Sequence, residues 1–355
     1  MQTDSSPVVL VTGSTGLIGT RIVRALADDF RVIGLDVKKP PEKIAGAEFM
    51  ECDLTSDESV DQVLASIRSE HGDHIASVIH LAAYYDFSGE PSPLYDKLTV
   101  GGTKRLIQKL QAFDVDQFVF SSTLLMMAPA AETDALLTED SPVDAEWAYP
   151  QSKVDAEKVL REERGDIPVV ILRLAGVYDE GGHSLPVGQQ ISRIYQKELE
   201  SFMFPGDQNR GQALVHLDDL VDCVARVIAK RGALDPWEVF LIAEPDVVSY
   251  GELQDRIGEL LHDKEWPTIR IPKAVAKAGA WAKEQLPGAE SFIKPWMVDL
   301  ADQHYPVDIA RARQRLGWEP RHRLRDTLDR IIAKLKDDPK AWFEENQLPV
   351  PEEVK

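Results

Sequence analysis

A glycine turn near the N-terminus is the feature that most constrains what this chain can fold into. The apolar run 8–11 leads directly into the segment 12–19, TGSTGLIG, and an amphipathic stretch follows at 20–28. Glycines at three-residue spacing allow a tight turn that approaches a pyrophosphate closely, and the helix start holds its negative charge. Asp36 ends the next apolar run, where an acid can accept hydrogen bonds from a ribose. Strand, glycine turn, helix and acid stand in the order that a dinucleotide site requires.

Length, charge and cysteine content narrow the class of protein. A chain of 355 residues can bury a full α/β core as one large domain or two intimate lobes. The formal net charge of −20 argues against nucleic acid or an anionic membrane surface as partner. Cys52 and Cys223, the two cysteines, lie in separate apolar segments, which predicts no disulfide. The segment 1–7 is short and polar, and no run reaches the ~18 apolar residues of a membrane span. We therefore expect a cytoplasmic protein.

Strand-like and helical patterns alternate through the first half of the chain. The strand-like runs are 8–11, 32–35, 48–51, 78–81, 118–121 and 169–172, and several of them are continuously apolar. The helical patterns between them are 20–28, 60–70, 98–113 and 153–164. Alternation of this kind implies right-handed crossovers and a parallel sheet with helices on both faces. The predicted fold class is therefore α/β, a doubly wound parallel (Rossmann) sheet with a smaller C-terminal substrate-binding lobe.

The alternation ends after about Ala175. Loops are expected at 181–183 and 204–207, helices at 217–230 and 250–262, and a strand at 239–242. We predict three parts: a dinucleotide-binding domain with the catalytic residues at 1–175, a substrate-binding lobe at 176–336, and a C-terminal arm or frayed tail at 337–355. Some strands and helices of the lobe are expected to return to the Rossmann core.

The segment 273–286 has an amphipathic pattern. Val275, Ala278 and Trp281 fall on one face of the helix that this pattern predicts. We expect this face to pack against the body of the protein, with contact to a membrane surface or a lipid substrate as the alternative.

Tyr149 and Lys153 carry the predicted chemistry. They stand four residues apart, so their side chains share one face of a helix. An ammonium beside a phenol lowers the pKa of the phenol, and an oxidised nicotinamide ring lowers it further, which suits a general acid/base. Upstream, the segment 121–123 (SST) ends a strand at the edge of the sheet where ligands bind. A hydroxyl there can hold a substrate oxygen during hydride transfer.

Together these residues resemble the extended short-chain dehydrogenase/reductases, often called the NAD-dependent epimerase/dehydratase family. The resemblance extends from Val8 to about Ile332. The shared motifs are Thr12-Gly13-x-x-Gly16-x-x-Gly19, Asp53-Leu54, His80-Leu81-Ala82-Ala83, Ser121-Ser122-Thr123, Tyr149-x-x-x-Lys153, Leu172-Arg173, Val215-His216-Leu217-Asp218-Asp219 and Leu316-Gly317-Trp318-x-Pro320.

The resemblance implies a role for each matching position. The residues expected to bind the cofactor are Gly13, Thr15, Gly16, Leu17, Ile18, Asp36, Asp53, Leu54, Ala82, Ala83, Tyr149 and Lys153. Tyr149 is the implied acid/base, Lys153 also binds the nicotinamide ribose, and Thr123 holds the reacting oxygen, with Ser122 as a substitute. Asp36 favours NAD over NADP because an acid repels a 2′-phosphate. The family also implies a homodimer formed by the helices near 98–113 and 153–164.

The histidines are not expected to bind metal or to take part in catalysis. His80 ends a buried strand and His216 belongs to a packing and turn motif, so both are interpreted as structural. The histidines show no metal-ligand spacing, and no metal is predicted.

Two positions depart from the sugar-nucleotide branch of the family. Gly176 stands where that branch has an Asn, Gln212 stands where it has an Arg that grips the diphosphate, and Arg210 is displaced by two positions. Losing an amide and a guanidinium removes contacts that a diphosphate needs. The chain therefore resembles more closely the branch that contains 3β-hydroxysteroid dehydrogenases and dihydroflavonol reductases. A further departure, Thr99 in place of Asn, is expected only to support the backbone beside the site.

The leading hypothesis is an NAD-dependent oxidoreductase that interconverts a secondary alcohol and a ketone. A nucleotide-sugar epimerase or dehydratase with tightly bound NAD is the alternative, and a non-catalytic NAD-binding regulator is the third. A small-molecule substrate is expected, with a specificity pocket formed by residues 84–92, 124–131, 181–190 and 202–210. Leu124, Met126 and Met127 suggest either an apolar wall of that pocket or simple packing.

Overall fold

A seven-stranded parallel sheet forms the centre of the protein. The computed structural model describes residues 6–86, 89–284 and 293–354. The sheet has the order β9-β6-β5-β4-β1-β2-β3. Its strands are β1 (Val8–Thr12), β2 (Arg31–Asp36), β3 (Ala47–Glu51), β4 (Ser77–His80), β5 (Phe118–Thr123), β6 (Val169–Leu174) and β9 (Trp237–Ile242). Two short strands, β7 (Gly176–Tyr178) and β8 (Leu214–His216), pair with each other in parallel outside this sheet.

Helices cover both faces of the sheet and form most of the C-terminal part. They are α1 (Leu17–Leu26), α2 (Asp57–His71), α3 (Gly101–Leu110), α4 (Ala148–Glu163), α5 (Leu185–Tyr195), α6 (Leu217–Ala229), α7 (Tyr250–His262), α8 (Lys273–Glu284), α9 (Pro295–Asp299), α10 (Ala310–Leu316), α11 (Leu324–Asp337) and α12 (Pro339–Glu345). One apolar core lies on each face of the sheet. A third core joins α5, α7, α11 and α12. The predicted doubly wound Rossmann fold is confirmed.

The sheet recruits a strand from the second half of the chain. β9 pairs with β6 in parallel, with Trp237 opposite Val169 and Ile242 opposite Leu174. Helix α6 packs on α1 of the N-terminal half, and Arg21 forms an ion pair with Asp218 there. Elements beyond residue 176 therefore complete the core of the first half.

Helices α4 and α5 are two of the elements that differ from the predictions. Helix α4 begins at Ala148 rather than Lys153, so Tyr149 lies in its first turn; Pro150 fits there because the first helical turn needs no amide hydrogen bond. Helix α5 was not predicted, since Pro186 and Gly188 suggest a loop, but a proline is well placed at the start of a helix. A π-helical turn, Tyr95–Val100, also precedes α3.

Helix α8 corrects the expected packing of the amphipathic segment. Val275 and Trp281 are 59% and 60% exposed, and Ala278 is exposed beside them. The opposite face contacts the body instead: Ala280 is buried, and Lys277 forms an ion pair with Asp299 of α9. The prediction that the apolar face packs inward is therefore wrong for these residues. Residues 285 and 286 of the segment lie outside the described part of the chain. Among the described residues, no helix has both the length and the apolarity to span a membrane.

The C-terminal residues 339–345 form α12, which lies against the third core. Trp342 and Phe343 are buried there, and the Asn346 side chain donates a hydrogen bond to the Gly181 carbonyl at 2.9 Å. These contacts join this segment to the loop before α5.

Candidate active site

The glycine turn brings β1, β4 and α1 into close approach. Gly13 has a φ of +67°, and a Cβ there would lie 2.9 Å from the Ala82 nitrogen. A Cβ on Gly19 would lie 2.1 Å from the Gly13 oxygen. Helix α1 then starts without a side-chain cap or an acidic residue in its first turn. Its first amide groups are therefore suited to an anion, as the glycine spacing predicts.

The acidic residues predicted for the adenosine end lie after β2 and β3. Asp36 ends β2, and its carboxylate accepts a hydrogen bond from the Thr15 nitrogen at 3.0 Å, so it orders the glycine turn as well. Asp53 follows β3 and accepts hydrogen bonds from the Thr55 amide and hydroxyl, at 2.8 and 2.7 Å. Leu54 is buried next to it.

His80 is a structural residue at the end of β4. Thr12 Oγ1 lies 2.7 Å from His80 Nδ1, and His80 Nε2 lies 2.9 Å from Thr103 Oγ1. Because Thr12 Oγ1 accepts the Leu81 and Ala82 amides, its hydroxyl proton points to His80, which fixes the tautomer with the proton on Nε2. Burial lowers the pKa of His80 to about 3, so the ring stays neutral. This relay fixes the backbone at Ala82, beside the glycine turn.

The residue Thr99, which departs from the family pattern, supports the same region. Its hydroxyl accepts a hydrogen bond from the Tyr84 amide at 3.0 Å. The side chain therefore holds the chain just after Ala82 and Ala83, as the sequence predicts.

Tyr149, Lys153 and Thr123 lie together where β5 meets the start of α4. Thr123 ends β5, and its hydroxyl forms a hydrogen bond with Tyr149. Lys153 is 3% exposed, and its Nζ donates a hydrogen bond to the Ser121 carbonyl at 2.7 Å while lying 4.8 Å from the centre of the Phe120 ring. The structure thus assembles the three residues that the sequence groups as catalytic.

In the protein without cofactor, the pKa of Tyr149 is raised, whereas the sequence predicts a lowered one. Burial raises the pKa of Tyr149 to about 12, although the Thr123 hydrogen bond opposes the change. Burial also lowers the pKa of Lys153 to about 7. Desolvation thus outweighs the expected lowering of the phenol pKa by the ammonium, because the same burial disfavours both charges.

Ser122 makes a different contact from Thr123 and does not take its place beside Tyr149. Its hydroxyl donates a hydrogen bond to Glu157 Oε1 at 2.6 Å, and Arg173 pairs with the same carboxylate at 2.9 Å. The Ser122 hydroxyl is thus engaged with the Glu157 carboxylate of α4, and Thr123 is the residue beside Tyr149. Sequence analysis did not single out Glu157, although its position four residues after Lys153 places it on the same helix face.

Aromatic side chains surround Tyr149. The Tyr85 ring contacts it edge-on at 4.9 Å between centroids, and Trp147 lies at 5.6 Å. Trp296 of α9 lies 5.1 Å from Trp147 and extends this surface. Tyr85 belongs to the predicted pocket segment 84–92, of which residues 87 and 88 lie outside the described part; the two tryptophans were not predicted.

The other predicted pocket segments are largely occupied by packing. Leu124, Met126 and Met127 are buried in the core, which favours packing over an apolar wall. Phe202 stacks on Trp266. Gly182, in the segment before α5, lies against the third core rather than beside Tyr149, since a Cβ there would contact Ile331 and Trp342.

At the positions that depart from the sugar-nucleotide branch, no side chain replaces the missing amide or the missing guanidinium. Arg210 donates to the Asp302 and Ala131 carbonyls, at 2.9 and 3.2 Å, so both ends of its guanidinium are engaged. Gln212 is exposed, and a Cβ on Gly176 would approach a Leu214 methyl group at 2.8 Å.

A cluster of Glu180, His216 and His322 does not have the geometry of a metal site. Their ligand-type atoms lie within 4.8 Å of one another. The two imidazole rings are stacked, however, with centroids 4.0 Å apart and planes at 18°. Ring lone pairs lie in the ring plane, so stacked rings cannot direct both to one ion. His216 Nδ1 also accepts the Asp218 amide, which leaves the proton of the neutral ring on Nε2.

A family model relates this site to known proteins. The model for the NAD dependent epimerase/dehydratase family matches residues 9–243. The chain belongs to this family. As a member of the NAD dependent epimerase/dehydratase family, it is an NAD-dependent enzyme of the extended short-chain dehydrogenase/reductase type.

Relatives of the chain include both dehydrogenases and epimerases. The sterol-4-alpha-carboxylate 3-dehydrogenase (decarboxylating) of Saccharomyces cerevisiae is 23% identical and covers 92% of this chain and 97% of its own. The UDP-glucose 4-epimerase of Vibrio cholerae is 26% identical and covers 90% of this chain and 92% of its own. A crystal structure of UDP-glucuronic acid 4-epimerase from Bacillus cereus, with UDP-glucuronic acid and NAD, shares the fold. Its TM-score is 0.68 at 19% identity, over 93% of this chain and 99% of that one.

The residues of this chain fit NAD. The space at Gly13 and Gly19 is too small for a side chain, and α1 offers free amide groups at its start. Asp36 stands at the end of β2, where its negative charge favours a ribose with free hydroxyls over a 2′-phosphate. When bound, NAD accepts or returns a hydride.

Proposed function

We propose that this enzyme interconverts a secondary alcohol and a ketone on a substrate with an apolar ring. NAD is reduced to NADH in the oxidation of the alcohol, and NADH is oxidised to NAD in the reduction of the ketone. The aromatic surface around Tyr149 carries the proposal. Tyr85 and Trp147 contact the Tyr149 ring, and Trp296 extends the surface. Aromatic faces favour apolar rings over a hydrated diphosphate. The engagement of Arg210 with backbone carbonyls supports the same conclusion.

Three residues of the chain act on the proton and the oxygen of the substrate in this proposal. Tyr149 takes the hydroxyl proton in the oxidation and returns it to the carbonyl oxygen in the reduction. Thr123, hydrogen-bonded to Tyr149, orients that oxygen. Lys153 lowers the pKa of the phenol when charged and also binds the nicotinamide ribose. The raised pKa of Tyr149 in the protein alone suits a group that first holds a proton and donates it.

The cofactor contacts follow the positions that match the family. We propose that Gly13, Thr15, Gly16, Leu17 and Ile18 bind the diphosphate. The remaining contacts are assigned to Asp36 at the adenosine ribose, Asp53 and Leu54 at the adenine, and Ala82 and Ala83 along the ribose side.

The relatives support two outcomes of the same hydride step. One relative is named for a sterol dehydrogenation and another for a sugar-nucleotide epimerisation. An epimerase returns the hydride to its product, whereas a dehydrogenase releases NADH. The Vibrio cholerae relative favours the epimerase as second candidate, and Gly176 and Gln212 favour the dehydrogenase.

Incubation with NAD and two substrate classes distinguishes the candidates. The purified protein is mixed with NAD and either hydroxysteroids or UDP-sugars, and the nicotinamide absorbance and product are both measured. We expect NADH to accumulate with a hydroxysteroid and to disappear with the matching ketone. Turnover of a UDP-sugar with no net change in NAD would refute the proposal and establish the epimerase. Tyr149→Phe, which leaves the aromatic ring in place, is the control for catalysis by this site.

The proposal extends to the assembly of the protein. We propose residues 1–175 as the NAD-binding unit with the catalytic residues, 176–336 as the substrate-binding lobe, and 337–355 as a C-terminal arm. We further propose a cytoplasmic homodimer joined through α3 and α4. Analytical ultracentrifugation tests the dimer, and a monomer at micromolar concentration would refute it.

A further inference from the structure

Three consecutive residues at the end of β5 bind three residues on one face of α4. Ser121 accepts from Lys153, Ser122 donates to Glu157, and Thr123 is hydrogen-bonded to Tyr149. The helix residues stand at positions 149, 153 and 157, a spacing of four that keeps them on one face. These three contacts, here called the β5–α4 seam, set the position of the strand end against the helix.

Glu157 is the most firmly anchored residue of the seam. It is 8% exposed, and each carboxylate oxygen accepts from Arg173 of β6, Oε1 from Nε at 3.2 Å and Oε2 from Nη2 at 2.9 Å. Arg173 also donates to the Glu139 carbonyl at 3.2 Å. The carboxylate therefore joins α4 to two neighbouring strands. A buried ion pair of this kind adds little net stability over apolar packing, so its cost is better explained by the geometry it imposes.

We propose that Glu157 is a positioning residue of the active site: through Ser122 and Arg173 it fixes the seam, and its carboxylate places a negative charge on the helix face that carries Lys153. The inference rests on the proposed function, because it assumes that Thr123, Tyr149 and Lys153 carry the reaction. Glu157 lies at the far end of the seam from Tyr149, so it acts through its neighbours.

The charge around Lys153 supports the second half of the proposal. The charged and titratable groups that act on Lys153 are Glu157 on its own helix and His80 on β4, and Arg173 of β6 pairs with the Glu157 carboxylate. Tyr149 lies one helical turn before Lys153. Tyr149 and His80 are neutral at pH 7, because burial raises the pKa of the first and lowers that of the second. Burial lowers the pKa of Lys153 to about 7, and the Glu157 carboxylate opposes this change. Removing the carboxylate therefore makes Lys153 lose its proton at a lower pH.

The test measures kcat and KM for ketone reduction as a function of pH, in wild type and in Glu157→Gln. Reduction needs charged Lys153 beside protonated Tyr149, so the rate falls as pH rises through the pKa of Lys153. In Glu157→Gln this fall should move about one unit toward lower pH, because one charged neighbour changes a pKa by about that amount or more. We expect kcat to fall about tenfold or more, with KM changed little. Glu162 is exposed on the same helix, so Glu162→Gln should match wild type in kcat and in the pH profile.

Ser122→Ala separates positioning from charge. It removes one hydrogen bond and keeps the Glu157–Arg173 ion pair, so the protein should fold and kcat should fall several-fold without a shift of the pH profile. This variant also keeps the inference testable if Glu157→Gln, which leaves Arg173 buried without its carboxylate, does not fold. A wild-type kcat in Ser122→Ala, or an unshifted pH profile in folded Glu157→Gln, would overturn the proposal.

Amide hydrogen exchange of residues 121–127 supplies a readout that needs no substrate. Glu157→Gln and Ser122→Ala should accelerate exchange in this segment relative to Glu162→Gln. If wild type reduces no ketone, the proposed function fails while the exchange data still decide whether Glu157 holds the seam. Unchanged exchange in both variants would refute the positioning role even in an active enzyme.

Discussion

Substitution of Gly19 by alanine tests whether close packing of the glycine turn determines both stability and cofactor binding. The added Cβ would lie 2.1 Å from the Gly13 oxygen, 2.8 Å from Ser14 Cα and 2.9 Å from the Gly13 carbonyl carbon. All three are backbone atoms, so no side chain can rotate to relieve the overlap. Either the turn moves away from α1 or the first turn of α1 distorts.

The structure permits a rough magnitude. Overpacking of a tight site costs about 1–3 kcal/mol. Alanine in a helix recovers about 0.5–1 kcal/mol relative to glycine, which offsets only part of that cost. The net cost is then about 0.5–2 kcal/mol. At about 2 °C per kcal/mol for a chain of this size, we expect Gly19→Ala to lower the Tm by roughly 1–4 °C without cofactor.

Two other glycines provide matched controls. At Gly16 the nearest atom to an added Cβ is the Gly13 oxygen at 3.4 Å, an ordinary contact. Gly16→Ala should therefore leave the Tm of the free protein unchanged but weaken NAD binding about tenfold, or about 1.4 kcal/mol, by blocking the approach of the diphosphate. At Gly279 of α8 no atom lies within 4 Å of an added Cβ, so Gly279→Ala should keep the NAD affinity and raise the Tm slightly, because alanine is favoured over glycine in a helix.

Thermal unfolding by circular dichroism and NAD titration by calorimetry measure the two effects separately. If Gly19→Ala unfolds at the wild-type temperature and binds NAD with wild-type affinity, the steric reasoning is wrong. If Gly16→Ala binds NAD with wild-type affinity, the diphosphate does not bind against Gly16.

Three further predictions follow from the site and its surroundings. Tyr149→Phe should lower kcat by about 10²–10⁴-fold with little change in NAD affinity, measured by steady-state kinetics and calorimetry, because it removes only the proton-carrying oxygen. Asp36→Asn keeps an oxygen that can accept from Thr15 and removes the charge, so the ratio of NADP to NAD affinity should rise at least tenfold; an unchanged ratio would contradict the assignment of Asp36 to the ribose. His183→Gln should cost about 1 kcal/mol at pH 5–6 and less at pH 9, followed by urea unfolding. The hydrogen bond to Asp179 raises the pKa of His183, so its contribution is complete below 6.5 and is lost as pH rises through the folded pKa. An equal loss of stability at both pH values would show that the pair is not charged in the folded protein.

Most of the sheet could be predicted because its strands are covered on both faces. All five residues of β1 and all six of β6 are buried, and each strand begins with four consecutive apolar residues, 8–11 and 169–172. The pairing of Tyr149 with Lys153 was predictable from their spacing on one helix face, and the family resemblance implied Thr123 at the end of β5. The ionisation of Tyr149 was not, because burial depends on Tyr85 and Trp147, which only the tertiary structure brings to it.

Other features depend on partners that are distant along the chain. Glu157 binds Ser122 and Arg173, 35 and 16 residues away, and no local pattern identifies these partners. The periodicity of α8 shows that the helix has two faces, but it does not determine which one the body covers. The lysine face is covered through ion pairs with acids of the following segment, and Trp281 is left exposed.

The placement of β9 has a consequence for how the protein is made. β6 pairs with β9 on one side, and roughly 70 residues of chain lie between the end of β6 at Leu174 and the end of β9 at Ile242. A ribosome adding about 5–20 residues per second needs about 4–14 seconds to synthesise that stretch. During this time the nascent sheet presents the unpaired backbone of β6, a template for pairing with another chain. Synthesis of the N-terminal half thus leaves an interval in which the fold itself does not yet cover this edge of the sheet.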